Sequence, residues 1–218
     1  LIYLYINYIN MKRIRYMEQS FEKLLNISTS GNQKNFNEFI HYNRYEPTSY
    51  YVLEAILHNY PLLESDNIVD FGSGKGRLNF FLNYFFKCKV TGVEMNKYYY
   101  EEALENMKNY LSKNKGHDCS KISFVNCIAE DYEINSKENK FYFFNPFSVQ
   151  IFIKVVTNII YSVVDEYRPV DLILYYPSDD YIYYLENYTI FQLIKEIKLN
   201  KHYEQDNREK ILVYRLQY

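Results

Sequence analysis

Tryptophan is absent from the 218 residues, and cysteine and histidine are scarce. Three cysteines, Cys88, Cys119 and Cys127, are an odd number with no C-x-x-C pair. That argues against a disulfide framework and against a zinc site, and it fits a reducing cytoplasm. The four histidines, His41, His58, His117 and His202, lie scattered without ligand spacing, so no metal is expected. No apolar run approaches the length of a membrane span, so no membrane is expected as a partner. The formal net charge of −2 lacks the electrostatic footprint of a nucleic-acid binder, although a local basic patch stays open. No Ser–His–Asp set or close pair of carboxylates points to hydrolysis.

Tyrosine, by contrast, is very abundant, and Asn, Ile, Lys and Phe are frequent. All five have A/T-rich codons, so aromatic stripes carry no weight here as functional evidence. The length fits one domain with a full core. Leu1–Asn10 is apolar, yet it lacks the basic segment and the cleavage site of a signal peptide. Met11-Lys12-Arg13 makes a natural start, so the reading is that residues 1–10 are an upstream extension outside the fold.

Met11 to about Ile27 reads as an amphipathic helix, with Ile14, Met17, Phe21, Leu24 and Leu25 at helical spacing. The stretch from Phe36 to Tyr45 is unclear. Thr48 or Ser49 can cap a helix that Pro61 ends. From there strands and helices alternate. Strands are expected at 67–71, 89–95, 121–128, 140–145 and 170–176, with helices at about 76–86, 97–112 and 149–166 between them. After Pro177 a short helix precedes two consecutive strands, 191–199 and 211–216, which implies an antiparallel hairpin at the sheet edge. Phe191, Leu193, Ile197 and Leu199 alternate at period two and are expected to share one face. The fold class is therefore α/β, three layers, with a mostly parallel sheet ending in that hairpin and with helices at the N-terminus.

The chemistry gathers where the strands end, since open α/β sheets bind ligands beyond the carboxyl ends of their strands. The first strand runs into Asp70-Phe71-Gly72-Ser73-Gly74-Lys75-Gly76-Arg77. Glycines in a turn that opens a helix bring unpaired N–H groups and the positive end of the helix dipole against an anionic group. A tight corner alone would also use glycines. The dinucleotide fingerprint wants G-x-G-x-x-G, but here the third glycine comes one residue early and Arg77 stands in its place. The second strand ends in Glu94, 22 residues after Gly72, where an acid can accept both hydroxyls of a ribose. That serves a nicotinamide cofactor equally well. The third strand ends in Cys127-Ile128-Ala129-Glu130-Asp131 and the fourth in Phe144-Asn145-Pro146-Phe147. Asn-Pro is also ordinary turn chemistry.

An acid two residues before G-x-G-x-G resembles motif I of the class I, seven-strand S-adenosylmethionine-dependent methyltransferases, and the terminal hairpin looks like their topology. Asn145-Pro146-Phe147 is similar to motif IV of the members that methylate nitrogen, with one proline missing. His41-Tyr42-Asn43-Arg44-Tyr45-Glu46-Pro47, whose Tyr-Glu-Pro segment looks like the one that closes over the methionine end of the cofactor, and the motifs around Gly72, Glu94 and Asn145 are also similar to the non-SET, seven-strand histone lysine methyltransferases over about residues 44–148. The resemblance implies an N-terminal extension and helical cap at 1–47 and a methyltransferase domain at 48–218. It implies S-adenosylmethionine as cofactor, held by Tyr45, Glu46, Asp70, Gly72, Ser73, Gly74, Gly76, Glu94 and Asn145. In the family an acid reads the adenine amine, and Ile128 occupies that position. Ile128 can pack on the adenine face instead, with the backbone at Ala129 or the Asp131 carboxylate as polar contact. Asn145, Pro146 and Phe147 are the expected catalytic residues. Phe147 and Tyr45 are candidates to line a channel that strips water from an attacking amine. The methyl acceptor is open: protein, nucleic acid or small molecule. A nicotinamide-dependent oxidoreductase is disfavoured by the glycine spacing and the hairpin, and a silent cofactor-binding module is the other alternative.

Overall fold

The computed structural model describes residues 2–31, 42–116, 118–199 and 204–216. His41, His117, His202 and most of the unclear stretch before Tyr45 lie outside the described residues. Seven strands form one sheet: β1 (Asn67–Phe71), β2 (Lys89–Val93), β3 (Ile122–Val125), β4 (Lys140–Phe143), β5 (Val170–Tyr175), β6 (Phe191–Lys198) and β7 (Lys210–Leu216). The order is β3-β2-β1-β4-β5-β7-β6. Strands β1 to β5 pair in parallel, and β7 runs antiparallel to both β5 and β6. All of β4 and β5 is buried, as expected for parallel strands covered on both faces.

The two faces carry separate cores. On one, Ile68, Val90, Tyr142 and Ile173 meet α1 (Ile2–Leu25), α2 (Tyr50–Asn59), α3 (Arg77–Phe86) and α4 (Lys97–Lys113) through Leu25, Leu53, Phe81 and Tyr110. On the other, Phe71, Phe143 and Leu172 meet α5 (Val149–Asp165) and α6 (Asp179–Tyr188) through Phe152, Val156 and Tyr181. The caps follow the sequence: the Ser49 hydroxyl accepts from the Val52 N–H, and the Asn96 side chain from the Tyr98 N–H. Across the sheet, Asp171 is fully buried among Lys140 (2.8 Å), Arg215 (2.6 Å) and the Tyr60 hydroxyl. Burial raises its carboxyl, but these three partners outweigh that and hold it below the usual range.

Two expectations are corrected. Helix α1 begins at Ile2 rather than Met11, because no glycine or proline interrupts the chain before Gly31. In β6 the register slips between Leu193 and Lys195. A single extra residue turns every later side chain to the opposite face. Phe191 therefore lies in the α5–α6 core and Ile197 and Leu199 in the other, while Leu193 is left exposed. Among the described residues no helix is long and apolar enough to cross a membrane, and no group of three or more His, Cys, Asp or Glu is placed to hold a metal ion.

Candidate active site

The order of the strands reverses between β1 and β4, and a cavity of about 730 Å³ opens at the carboxyl ends of β1, β2 and β4. Small-molecule sites occupy this size range and this place in the fold. The glycine turn forms its floor. Gly72, Gly74 and Gly76 all take positive φ, from 54° to 84°. A Cβ at Gly74 would overlap the ring of Tyr45, which packs flat on the turn and stacks on Tyr99 at 4.5 Å.

The N–H groups of this turn are mostly spent on the protein itself, at the end of β2 and within the turn, contrary to the sequence reading. Gly72 and Ser73 donate to the Val93 carbonyl (2.9 and 3.1 Å), and Gly76 donates to the Ser73 carbonyl (2.9 Å). Gly74 donates to Glu94 Oε2 (2.8 Å), whose Oε1 accepts from the Asn96 N–H (2.7 Å). Burial raises the Glu94 carboxyl, and these two backbone donors pull it back. Two polar features stay open to a ligand: among the described residues the first turn of α3 has no side-chain cap, and the buried Ser73 hydroxyl has no partner. Asp70 lies below, buried; desolvation and then the neighbouring Glu94 push its carboxyl up to about 8. Turned so that its nitrogen faces the carboxylate, the Asn79 amide donates to Asp70 Oδ2 (3.0 Å) while its oxygen accepts from the Gly92 N–H (3.1 Å).

Residues 42–48 run across the cavity from one wall to the other. Tyr42 pairs as a β-bridge with Phe147. The Asn43 N–H donates to the Pro146 carbonyl (2.9 Å) and its side-chain amide to the Asn145 carbonyl (2.6 Å). The Tyr45 hydroxyl donates to the Thr29 carbonyl (2.7 Å), and the Thr48 and Tyr142 hydroxyls are hydrogen-bonded at 2.9 Å. Beneath the segment Arg77 is buried, donating to Thr29 Oγ1, Glu18 and the Thr48 carbonyl, with Glu22 at 3.4 Å and the Tyr50 ring 4.6 Å away. Acids of α1 thus anchor the first residue of α3, the helix that follows the glycine turn.

Of the residues singled out from the sequence, Tyr45, Glu46, Asp70, Gly72, Ser73, Glu94, Ala129, Asn145, Pro146 and Phe147 line the cavity. Gly74 and Gly76 shape its floor without lining it. Ile128 and Asp131 are exposed and outside the lining, because the short 3₁₀ turn at Ala129–Asp131 carries them outward. Phe147, though it lines the cavity, is almost wholly buried. Its ring is buried edge-on to Phe143 and Tyr42, and its carbonyl accepts from the Tyr181 hydroxyl, which removes it as a ring free to stack on an acceptor. Phe144, half-buried against Tyr175 at 4.4 Å, is the aromatic residue of this loop that faces the cavity. Asn145 takes φ +40°, and its side chain makes no hydrogen bond among the described residues. Tyr42, Asn43, Arg77, Tyr99 and Cys127 also line the cavity, and the sequence reading gave none of them a role at the site. Four of them stand within the stretches read as motifs, Tyr42 and Asn43 before Tyr45-Glu46-Pro47 and Arg77 and Cys127 at strand ends, and only Tyr99 lies outside them.

Residues 49–145 match the family model described as Methyltransferase domain. Among solved structures, the chain is similar to a candidate RNA methyltransferase from Pyrococcus horikoshii (TM-score 0.54, 16 % identity, 89 % of this chain and 97 % of that one). It is similar to the Pyrococcus abyssi tRNA (uracil-54, C5)-methyltransferase in complex with S-adenosyl-L-homocysteine (0.52, 14 %, 80 % of this chain and 40 % of that one). A third is the pyocyanin biosynthetic protein PhzM (0.55, 12 %, 75 % and 54 %). The chain thus spans less than half the length of the Pyrococcus abyssi enzyme. No curated protein matches the sequence. The protein carries the Rossmann-like fold of the class I, S-adenosylmethionine-dependent methyltransferases. These matches bear on the class and not on the finer likeness to histone lysine methyltransferases.

Proposed function

We propose that the protein transfers a methyl group from S-adenosylmethionine to a nitrogen of a protein, nucleic acid or small molecule. The observation that carries this is the polar inventory of the cavity. Glu94 spends two of its roughly four acceptor positions on the backbone, which leaves capacity for the two hydroxyls of a ribose. The unpartnered Ser73 hydroxyl and the uncapped first turn of α3 suit the carboxylate of the methionine portion. Gly72, Gly74 and Gly76 let the backbone come close, and Asp70 lies buried below the turn. Tyr45 and Glu46 close over it, and Ala129 stands on the adenine side.

When bound, S-adenosylmethionine supplies a methyl group already activated on a sulfonium, so the chain's work is positioning and exclusion of water. Asn145, ending β4 beside the glycine turn, offers its side-chain oxygen to an attacking N–H. Pro146 and the bonds from Asn43 fix that loop, and Phe144 and Tyr45 give the walls an apolar character. An aliphatic ammonium entering such a place loses its proton more readily, because desolvation disfavours its charge.

Calorimetry with S-adenosylhomocysteine and with NAD tests the cofactor, and transfer of labelled methyl into fractionated lysate tests the reaction. Binding of S-adenosylhomocysteine with label on a nitrogen is the expected result. Binding of NAD alone would overturn the reading, and tight S-adenosylhomocysteine binding without transfer to any fraction would make the protein a silent binding module.

A further inference from the structure

The methyltransferase reading leaves one part of the cofactor without a partner, since no acidic side chain follows β3 into the cavity. Ile128 and Asp131 face away, and the Glu130 carboxylate is mostly covered. The place is taken by a tyrosine from residues 42–48. The Tyr42 hydroxyl donates to Glu130 Oε2 (2.9 Å) and accepts a long bond from the Ala129 N–H (3.3 Å). Its ring is fixed by the bridge to Phe147 and by edge-on contact with the Phe147 ring at 5.8 Å. Tyr42, Cys127 and Ala129 together line this end of the cavity.

Resting on the methyltransferase reading, we propose that Tyr42 is the residue that recognises the adenine of the cofactor, as an acceptor set by Glu130. A hydroxyl whose only proton is committed to a carboxylate engages a further polar group as an acceptor, and the charge beside it strengthens that role. The Ala129 N–H, at the outer limit of an N–H···O bond, is a donor available to a better partner. A donor and an acceptor side by side match the ring nitrogen and exocyclic amine on the pairing edge of adenine. Hypoxanthine, with a ring N–H and a carbonyl oxygen there, opposes both. Burial and then Glu130 keep the Tyr42 hydroxyl protonated across the neutral range.

The test compares S-adenosylhomocysteine with its hypoxanthine counterpart, S-inosylhomocysteine, by calorimetry on the full chain. Tyr42→Phe keeps the ring contacts and removes the acceptor. It should cut the preference for the adenine ligand at least tenfold, mostly by weakening S-adenosylhomocysteine, since one lost bond is worth about a factor of ten. Glu130→Gln, which leaves the tyrosine in place, should cut it by a smaller factor, and it carries the test if Tyr42→Phe does not fold. Equal weakening of both ligands, or no change in preference in either variant, would overturn the proposal and reduce Tyr42 to a packing residue. If the wild-type protein bound neither ligand, the methyltransferase reading would fall and this proposal with it.

Discussion

Glu94 has two roles in one carboxylate, and a pair of substitutions separates them. Its oxygens hold the N–H groups of Gly74 and Asn96 at 2.8 and 2.7 Å, in a position 7 % exposed. Glu94→Ala leaves the buried Gly74 N–H and the half-buried Asn96 N–H without that partner, at about 1–3 kcal/mol each. The ligand-free protein should therefore lose about 2–6 kcal/mol of stability, which urea unfolding reads directly. Glu94→Gln keeps the shape and one acceptor oxygen but turns an NH₂ group toward one of those donors, so it should lose roughly half as much. For binding, a charge-assisted hydrogen bond to a ribose hydroxyl is worth about 1.5–3 kcal/mol. Glu94→Gln weakens or removes at least one such bond, so its Kd for S-adenosylhomocysteine should rise about 10- to 100-fold. Calorimetry well below the unfolding temperature keeps that loss apart from the loss of stability. A Glu94→Gln protein that binds within twofold of wild type would refute the ribose role. A ligand-free Glu94→Ala protein as stable as wild type would refute the loop role.

Asn145→Gly is the sharper form of the catalytic test, because alanine at φ +40° would add backbone strain that glycine does not. It should leave cofactor affinity within a few-fold and lower methyl transfer about 10²-fold, on the scale of one lost positioning group; unchanged transfer reduces the loop to a structural turn. Asp70 gives a pH signature of opposite sign to the usual carboxylate. The folded protein holds its proton up to about 8, whereas an exposed aspartate loses it near 3.8. The folded state thus binds more protons in that window, so stability falls as pH rises from about 4 to about 8, by at most about 1.4 kcal/mol per pH unit. Asp70→Asn should flatten that slope in urea titrations of the ligand-free protein, and an unchanged slope would show that the buried proton is elsewhere.

The fold was largely legible because parallel strands buried on both faces read as apolar runs and the helices between them repeat at 3.6. Phe141–Phe143 and Leu172–Leu174 could hardly be anything else. The strand β6 misled because alternation is a local rule, while a bulge is a decision made against the partner strand. Nothing between Leu193 and Lys195 marks the slip, yet it sends Phe191 and Ile197 to opposite cores. At the site, the strand ends were legible because their residues act where they stand in the sequence. Those that act across the fold were not: Arg77 reaches Thr29 over 48 residues and Asn43 reaches Asn145 over 102.

The departures from the dinucleotide fingerprint at Arg77 and from the methyltransferase adenine motif at Ile128 are the informative positions, since other parts of the chain meet each of them. Arg77 stands where a dinucleotide fold would have glycine for close packing of helix on strand. Here Arg77 is 4 % exposed, and its guanidinium lies between Glu18 and Glu22. Glycine at 77 would leave those two acids close together without their cation, and such a buried charge without its partner is costly. The substitution is therefore coupled to α1, and residues 14–29 belong energetically with the glycine turn. Ile128 marks the same logic on the adenine side. An acid there would project outward with the 3₁₀ turn, whereas the hydroxyl of Tyr42, braced by Glu130, reaches the cavity from the opposite wall. In both cases the contacts come from the N-terminal 50 residues: Glu18, Glu22 and Thr29 on Arg77 and, on the adenine role proposed above, Tyr42 beside Ala129.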